Sequence, residues 1–274
     1  MWARLSVLML AAACYAPKAL PGTPCTPSLA NCPSGQQCAL VGGEHVCVEE
    51  LPPTDSSAGI DMLPPDVPSD GVRPAWSLVQ TRGRTGNDTP ITTSTAGSLI
   101  VVGVETPDVV PVDGVTDDAN NVYVRVPGTR AVNVARNLGV ELWYAKAASA
   151  GATRVTATGL MVYAIVAWEV AGLDPLNPLG SASKLDDRPA TTTPLGAAIT
   201  TTTAGELVIS IAIVANQVSG LTAGSAFTND QTTFGNGWAH LTDNKAPAGT
   251  YQAQWEQPNL GPYCATSASF RLAP

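Results

Sequence analysis

The sequence predicts an all-β protein, an antiparallel β-sandwich of jelly-roll or immunoglobulin-like type. The 274-residue chain is only 13% charged and is rich in Thr, Ala, Gly and Val, a composition that favours strands and turns. After residue 75, short β-branched or aromatic runs alternate with Asp-, Asn-, Gly- and Pro-containing turns. Many short strands separated by such turns are typical of a sandwich.

The predicted strands share β-branched or aromatic side chains and are bounded by turn residues. They cover residues 99–104, 122–126, 140–144, 154–158, 207–214 and 250–255. The longest apolar run, LMVYAIVAWEVAG (160–172), is long enough for a buried helix. Its Val and Ile content and its lack of a polar stripe favour a central strand that is buried on both faces.

Two segments that lie 108 residues apart resemble each other. TTSTAGSLIVVGVET (92–106) and TTTTAGELVISIAIV (200–214) share Thr-Thr-x-Thr-Ala-Gly-x-Leu followed by β-branched residues. VTDDANNVY (115–123) and FTNDQTTF (227–234) follow at similar offsets. The repeat favours an internal duplication within the sandwich; convergence on a common β pattern is the alternative.

The order of these segments has a counterpart in known proteins. Residues 90–272 contain, in this order, an AGxL strand, an Asp/Asn turn, LWYA, AGATRVT and WEVAGLD. This order resembles bacterial surface β-sandwich domains of exported proteins. The resemblance implies a fold and a location, and it carries no catalytic residues to this chain.

The N-terminus has the pattern of a secretory signal. Arg4 precedes an apolar run from Leu5 to Ala13, which ends in three alanines before Cys14. The run is shorter than the ~20 apolar residues that span a bilayer, so residues 1–13 are predicted to be a signal peptide.

Cys14 gives this signal a second meaning. Ala-Ala-Ala-Cys resembles the lipobox of bacterial lipoproteins, with Ala11 where that family usually has Leu and Leu10 one residue earlier. The resemblance implies a lipidated Cys14, a short tether over 14–24, and an anchor in the outer membrane or at the cell surface. The alternative is a secreted protein cut near Ala13 or Ala16, with Cys14 incidental.

Four cysteines follow at spacings that favour disulfides over metal binding. Cys25, Cys32, Cys38 and Cys47 are separated by six, five and eight residues. Zinc knuckles and CxxC redox pairs need closer pairs. In an exported chain, residues 25–47 therefore form a disulfide-rich module with three pairings open. The segment resembles EGF-like or inhibitor-like modules; a zinc site that includes His45 is the alternative.

Residues 48–74 form an acidic, Pro-rich linker. They hold six prolines, six acids and one base. Proline and like charges extend such a segment to roughly 80 Å at ~3.1 Å per residue. The sandwich domain is assigned to residues 75–274. The net charge of −8 and the lack of a basic stripe argue against nucleic acid as a partner.

The sequence contains few signals for catalysis. No HExxH, P-loop, GxGxxG or Gly-x-Ser-x-Gly motif occurs in it. His240 and Asp243 could form two members of a catalytic triad, but the motif that would supply its nucleophile is missing. Glu169, inside an apolar run, is the one candidate for a catalytic acid, with Glu141 as a second carboxylate for a glycosidase-like pair. The alternative is that Glu169 points to solvent or bonds a neighbouring backbone group.

Two further groups are candidates for ligand binding. Asp117, Asp118 and Asn120 share a turn and carry the oxygen ligands that calcium prefers, although such residues also dominate turns for local reasons. No other cofactor is expected. Trp238, in FGNGWAH, is predicted to be exposed on a loop, where an indole would stack on a sugar.

These observations lead to a functional expectation. The chain is predicted to be a lipid-anchored envelope protein whose sandwich binds a glycan or another surface protein. A surface polysaccharide hydrolase with a carboxylate pair and a purely structural envelope protein are the alternatives.

Overall fold

The structure is a computed structural model that describes residues 32, 36–41, 44–49, 75–231 and 235–274. The chain divides into two compact units, residues 1–69 and 70–274. The predicted signal peptide and tether, Cys14, Cys25 and nearly all of the predicted linker lie outside the described residues. Within the described ranges, no helix is long and apolar enough to cross a membrane.

The first unit contains an antiparallel hairpin with strands β1 (Gln36–Val41) and β2 (Glu44–Glu49). A disulfide joins Cys32 to Cys47, and Cys38 is also disulfide-bonded. Because these sulfurs are bonded to sulfur, they are not thiolates that can hold zinc, and His45 is exposed. The interpretation of the module as disulfide-stapled is confirmed for these cysteines, and the zinc alternative is wrong.

The second unit consists of two consecutive halves, residues 75–171 and 172–274. The strands of the first half are β3 (Ser77–Thr85), β4 (Asp88–Pro90), β5 (Leu99–Thr106), β6 (Gly114–Asp117), β7 (Val124–Arg125), β8 (Ala131–Asn133), β9 (Leu138–Ala145), β10 (Arg154–Thr158) and β11 (Ala164–Ala171). A 3₁₀ turn, Val134–Arg136, follows β8. The strands of the second half are β12 (Leu179–Thr191), β13 (Ile199–Thr200), β14 (Leu207–Val214), β15 (Gly220–Leu221), β16 (Phe227–Gln231), β17 (Gly237–Leu241), β18 (Thr250–Tyr251), β19 (Trp255–Glu256) and β20 (Gly261–Phe270).

Both halves have the same antiparallel topology. The first large sheet has the order β3-β11-β5-β9-β7, with β8 also on β9, and the second has the order β12-β20-β14-β17-β16. The first half adds a small sheet, β4-β10-β6, and the second adds the pairs β13-β18 and β15-β19. The two arrangements correspond except at two places: β18 and β19 together take the place of β10, and β8 has no counterpart among the described strands of the second half.

Three apolar clusters hold these layers together. The central cluster lies between the two large sheets and includes Val101, Leu142, Ile209 and Phe270. A second lies between the first large sheet and its small sheet. A third covers the outer face of the second large sheet. Strands β5 and β14 are buried along their whole length, because each has a cluster on both faces.

The all-β sandwich prediction is confirmed. The predicted bounds of β10 and β14 agree with the structure, and the run 160–172 contains the buried central strand β11. The run predicted at 250–255 divides into β18 and β19. Strands β3 and β12 were not predicted, because they lie at sheet edges and carry many exposed polar side chains.

Candidate ligand-binding site

A cavity of about 590 Å³ lies between the two halves, where the equivalent strands β5 and β14 both end. The first half contributes Pro107, Leu138 and Tyr163, and the second contributes residues 213–217 and 235–236. None of these lining side chains is charged, and three of them are amides: Asn216, Gln217 and Asn236. The volume falls within the range of about 300–1,000 Å³ that small-molecule sites occupy.

A buried carboxyl group lies directly behind the cavity wall. Glu105, on β5, is fully buried. Its Oε2 accepts a hydrogen bond from Nδ2 of Asn236, and its Oε1 accepts one of 2.5 Å from Nε1 of Trp238. Burial raises the pKa of Glu105 to about 8, although the bonds from Trp238 and Asn236 each lower it. Asn236 thus connects an acid that titrates near neutral pH with the cavity surface.

The prediction of an exposed Trp238 is wrong. The residue lies on β17, not on a loop, and only 1% of it is exposed. Its ring packs over Gly83, where a Cβ would lie 2.2 Å from the indole. The small residues around Trp238 in the sequence suggested a loop, but the room for its indole is left by Gly83 on β3, and Gly237 packs against Trp255 instead.

Glu105 was not recognised in the sequence, although the repeat contains the signal. The 108-residue offset aligns Glu105 with Ile213, a core residue of the second half. An acid at the position of a core isoleucine has to be satisfied inside the protein, because an unpaired buried carboxyl is costly. Its partners come from the other half, so they became visible only in the tertiary structure.

A second carboxylate accepts a hydrogen bond from an indole across the same interface. Trp168 of the first half donates from Nε1 to Oδ2 of Asp230 in the second half at 2.7 Å. The bond from Trp238 to Glu105 runs in the opposite direction, from the second half to the first. The two large sheets are therefore joined by reciprocal indole–carboxylate bonds.

The histidine next to this interface has a different partner from the predicted one. His240 Nδ1 lies 2.7 Å from Oδ1 of Asp230, and the Trp76 ring packs edge-on against the imidazole at 5.9 Å. Asp243 instead accepts from the backbone N–H of Lys245 at 2.8 Å. The predicted pairing of His240 with Asp243 is wrong. His240 is largely buried between the sheets and supports the packing there.

Glu169 holds a turn together. Its Oε1 accepts from the backbone N–H of Thr95 at 2.6 Å and from Oγ of Ser98 at 3.0 Å. Its Oε2 accepts from Nε2 of Gln80 at 2.6 Å. Both oxygens of this acid are therefore bonded to protein donors in the Thr-x-x-Thr-Ala-Gly turn and in the neighbouring strand.

The structure does not bring Glu141 and Glu169 together. Glu141 accepts from the backbone N–H of Val112 and forms an ion pair with Arg125, both at 2.8 Å. The two acids lie opposite Val104 and Ile100 of β5, which are about 13 Å apart at roughly 3.3 Å per residue. A glycosidase pair needs carboxyl groups about 5–9.5 Å apart, so these acids do not form one.

The acidic turn predicted for calcium is satisfied by protein donors. Asp117 accepts from the N–H groups of Ala119 and Asn121 and from two side chains. Asp118 accepts from Thr153, and these bonds hold its pKa below its ordinary value. Asn120 takes the left-handed conformation of a turn residue, with φ 60°. The described residues contain no group of three or more acids, histidines or cysteines arranged to hold a metal.

Comparison with other proteins adds no assignment. No protein-family model, curated protein or solved structure matches this chain.

Proposed function

We propose that this chain is an exported, lipid-anchored cell-envelope protein whose sandwich binds a glycan or a surface protein in the cavity between its halves. The lipobox resemblance of Cys14, the disulfide module and the acidic linker support export and anchoring. The cavity supports binding, since both halves contribute to one concave surface there.

The position of the cavity relative to the first described residue of the sandwich carries this proposal. The described part of the sandwich begins at Ala75, beside Gly172 and next to the start of β3. Strand β3 then runs about 30 Å to Thr85, which pairs with Ala164 next to Tyr163 of the cavity. The described sandwich therefore begins at one pole, and the cavity lies at the other pole.

Exposed apolar side chains lie close to the same pole. Tyr163 follows a loop in which Leu160 is 88% exposed and Met161 is also exposed. Leu260 is exposed as well, and its carbonyl accepts from Nδ2 of Asn216 in the cavity wall. Exposed apolar residues around a concave site are characteristic of binding surfaces.

A cavity-filling variant tests the proposal. Ala215 is exposed and lines the cavity, so Ala215→Trp should fill it without disturbing the core. The purified full chain is applied to a glycan array and, labelled, to intact bacterial cells. We expect wild type to bind at least one of these and Ala215→Trp to lose binding at least tenfold.

A matched control places the same side chain elsewhere. Ala150 is exposed in the loop after β9, whose other end, at Leu138, lies at the cavity. Ala150→Trp should bind like wild type. Absence of wild-type binding to every glycan and cell, or equal binding by Ala215→Trp, would refute the proposed site.

The anchor has a separate test. Intact-mass measurement of the membrane-extracted chain should show acyl chains on wild type, because several chains anchor a protein stably. Cys14→Ser should lack that mass and appear in the soluble fraction. Unchanged processing with no lost acyl mass would refute lipidation and leave the cavity proposal untouched.

A further inference from the structure

Resting on the proposed function, we propose that the ligand of the cavity is a neutral carbohydrate, which hydrogen-bonds Asn236 and stacks on Tyr163, and that Glu105 is the positioning residue for Asn236.

The chemistry of the cavity wall selects a neutral, hydroxyl-rich ligand. The described side chains that line the cavity include no acid and no base. An anionic or cationic ligand would lose its hydration here without gaining an opposite charge, which is unfavourable. Amide side chains offer both donors and acceptors, which suits hydroxyl groups that act as both.

Asn236 can present both kinds of partner to a ligand. One of its two amide hydrogens is bonded to Glu105 and its Oδ1 accepts a long bond of 3.4 Å from the N–H of Val214. A primary amide has two hydrogens and two lone pairs, so one of each remains for a ligand. Neighbouring hydroxyls of a sugar ring provide the matching acceptor and donor.

Tyr163 supplies the apolar contact that a sugar ring requires. Its side chain lines the cavity and 43% of the residue is exposed. Its backbone is held on both sides, since its N–H donates to the carbonyl of Glu105 and its carbonyl accepts from Gly86. The held backbone keeps the aromatic side chain at the cavity, and the C–H face of a pyranose packs on the flat face of such a ring.

Glu105 restricts the orientation of Asn236. A hydrogen bond from an amide to an ionised carboxylate is stronger than one to a neutral carboxyl group. The bond that holds Asn236 should therefore strengthen when Glu105 loses its proton, which burial delays to about pH 8. A better-held Asn236 loses less freedom when ligand binds, so affinity should rise with pH.

Two other ionisable groups, Cys264 and Arg130, lie near Glu105. Burial raises the pKa of the Cys264 thiol on β20, and Glu105 contributes to that rise. The guanidinium of Arg130 lies 3.4 Å from the Thr106 hydroxyl and keeps its charge over the same pH range. Substitution of Glu105 separates its effect from theirs.

The experiment uses the full chain and an array of neutral, uronate-bearing and sialylated oligosaccharides. Calorimetry with the best-bound soluble sugar follows at about pH 6.5, 7.5, 8.5 and 9. We expect neutral sugars only, an affinity that rises severalfold with a midpoint near pH 8, and a flat profile for Glu105→Gln. Tyr163→Leu, at an exposed position that tolerates change, should weaken binding at least tenfold while near-ultraviolet circular dichroism shows a native fold.

Each other outcome has a defined meaning. Binding of only acidic sugars or proteins, blocked by Ala215→Trp, overturns this inference and leaves the proposed function in place. Neutral-sugar binding that is indifferent to Tyr163→Leu overturns the assigned contacts. The same pH profile in wild type and Glu105→Gln overturns the positioning role. No binding to any glycan or cell overturns both proposals.

Discussion

At the scale of single residues, Glu105 is the most informative position in the chain. It lies in a core strand of the first half, at the position that Ile213 occupies in the second half. Its carboxyl group is tolerated there because two donors from the second half satisfy it. Its partners belong to two different surroundings, since Trp238 is in the central core and Asn236 is in the cavity wall. The protonation state of one buried group is thereby linked to sheet packing and to the cavity.

The raised pKa of Glu105 makes the free energy of unfolding depend on pH. The pKa is about 8 in the folded chain, against an ordinary value of 4.5. Between these values the unfolded carboxyl is ionised while the folded one keeps its proton. The contribution of Glu105 to stability is therefore fully present below about pH 4.5 and is lost as the pH rises to about 8.

Glu105→Gln should remove this dependence. The glutamine is neutral at every pH, so the fall in unfolding free energy between about pH 5 and 9 should shrink by on the order of a few kcal/mol. Urea unfolding followed by tryptophan fluorescence measures it, with Glu256→Gln, an exposed carboxyl, as the control. An identical pH dependence in wild type and Glu105→Gln would contradict the assignment.

At the scale of elements, the two halves build the same turn with exchanged residues. In the first half, Glu169 on β11 accepts from Ser98 and from the N–H of Thr95. In the second half, Glu206 occupies the position of Ser98 and accepts from Ser269 and from the N–H of Thr203. Ser269 pairs with Val208, and Glu169 pairs with Ile100. Because Val208 and Ile100 are equivalent in the repeat, Ser269 is the equivalent of Glu169.

This exchange gives a structural reason for the acid at position 169, which the sequence suggested to be catalytic. An acid in a buried strand suggested a catalytic role. The second half contains the same carboxylate–hydroxyl pair, however, which indicates that the pair stabilises the turn in both halves. Burial alone would raise the pKa of Glu206, but the bonds from Ser269, Thr202 and Thr203 lower it. In each half one carboxylate binds the turn, supplied by strand β11 in the first half and by the turn itself in the second.

The exchange predicts a rescue by double substitution. Glu169→Ser should lower the free energy of unfolding by about 1–3 kcal/mol, because the N–H of Thr95 and the amide of Gln80 lose their acceptor. Adding Ser98→Glu recreates the arrangement of the second half and should restore part of the loss. Urea unfolding of the two single variants and the double variant gives the coupling energy. Additive effects of the two changes would count against the equivalence.

At the scale of the whole molecule, equivalent residues of the two halves meet at the centre. Gly103 and Ile211 are 108 residues apart, and a Cβ on Gly103 would lie 2.1 Å from Cδ1 of Ile211. A residue that touches its own equivalent marks an approximate twofold relation between the large sheets. Together with the repeated strand order, this contact supports our proposal that the sandwich arose by internal duplication.

The contact at Gly103 sets how closely the two sheets approach. Gly103→Ala should lower the free energy of unfolding by about 1–3 kcal/mol, because the added methyl overpacks the central core. Adding Ile211→Val, which shortens the opposing side chain, should recover part of that loss. Gly220→Ala is the control, since nothing lies within 4 Å of its Cβ position. Equal effects of the changes at Gly103 and Gly220 in urea unfolding would contradict this account.

The sequence by itself determined the fold class and the buried strands, because these depend on local periodicity and turn residues. It also determined that the cysteines which the structure describes form disulfides, because their spacing and the predicted export favour this. It also contained the repeat, from which the equivalence of Glu105 with Ile213 follows. The tertiary structure alone decided which residues meet: Glu105 with Trp238 and Asn236, His240 with Asp230, and a cavity made by two halves. A period of two residues shows that a side chain faces one side of a sheet. Only packing between strands far apart in the chain determines what lies there.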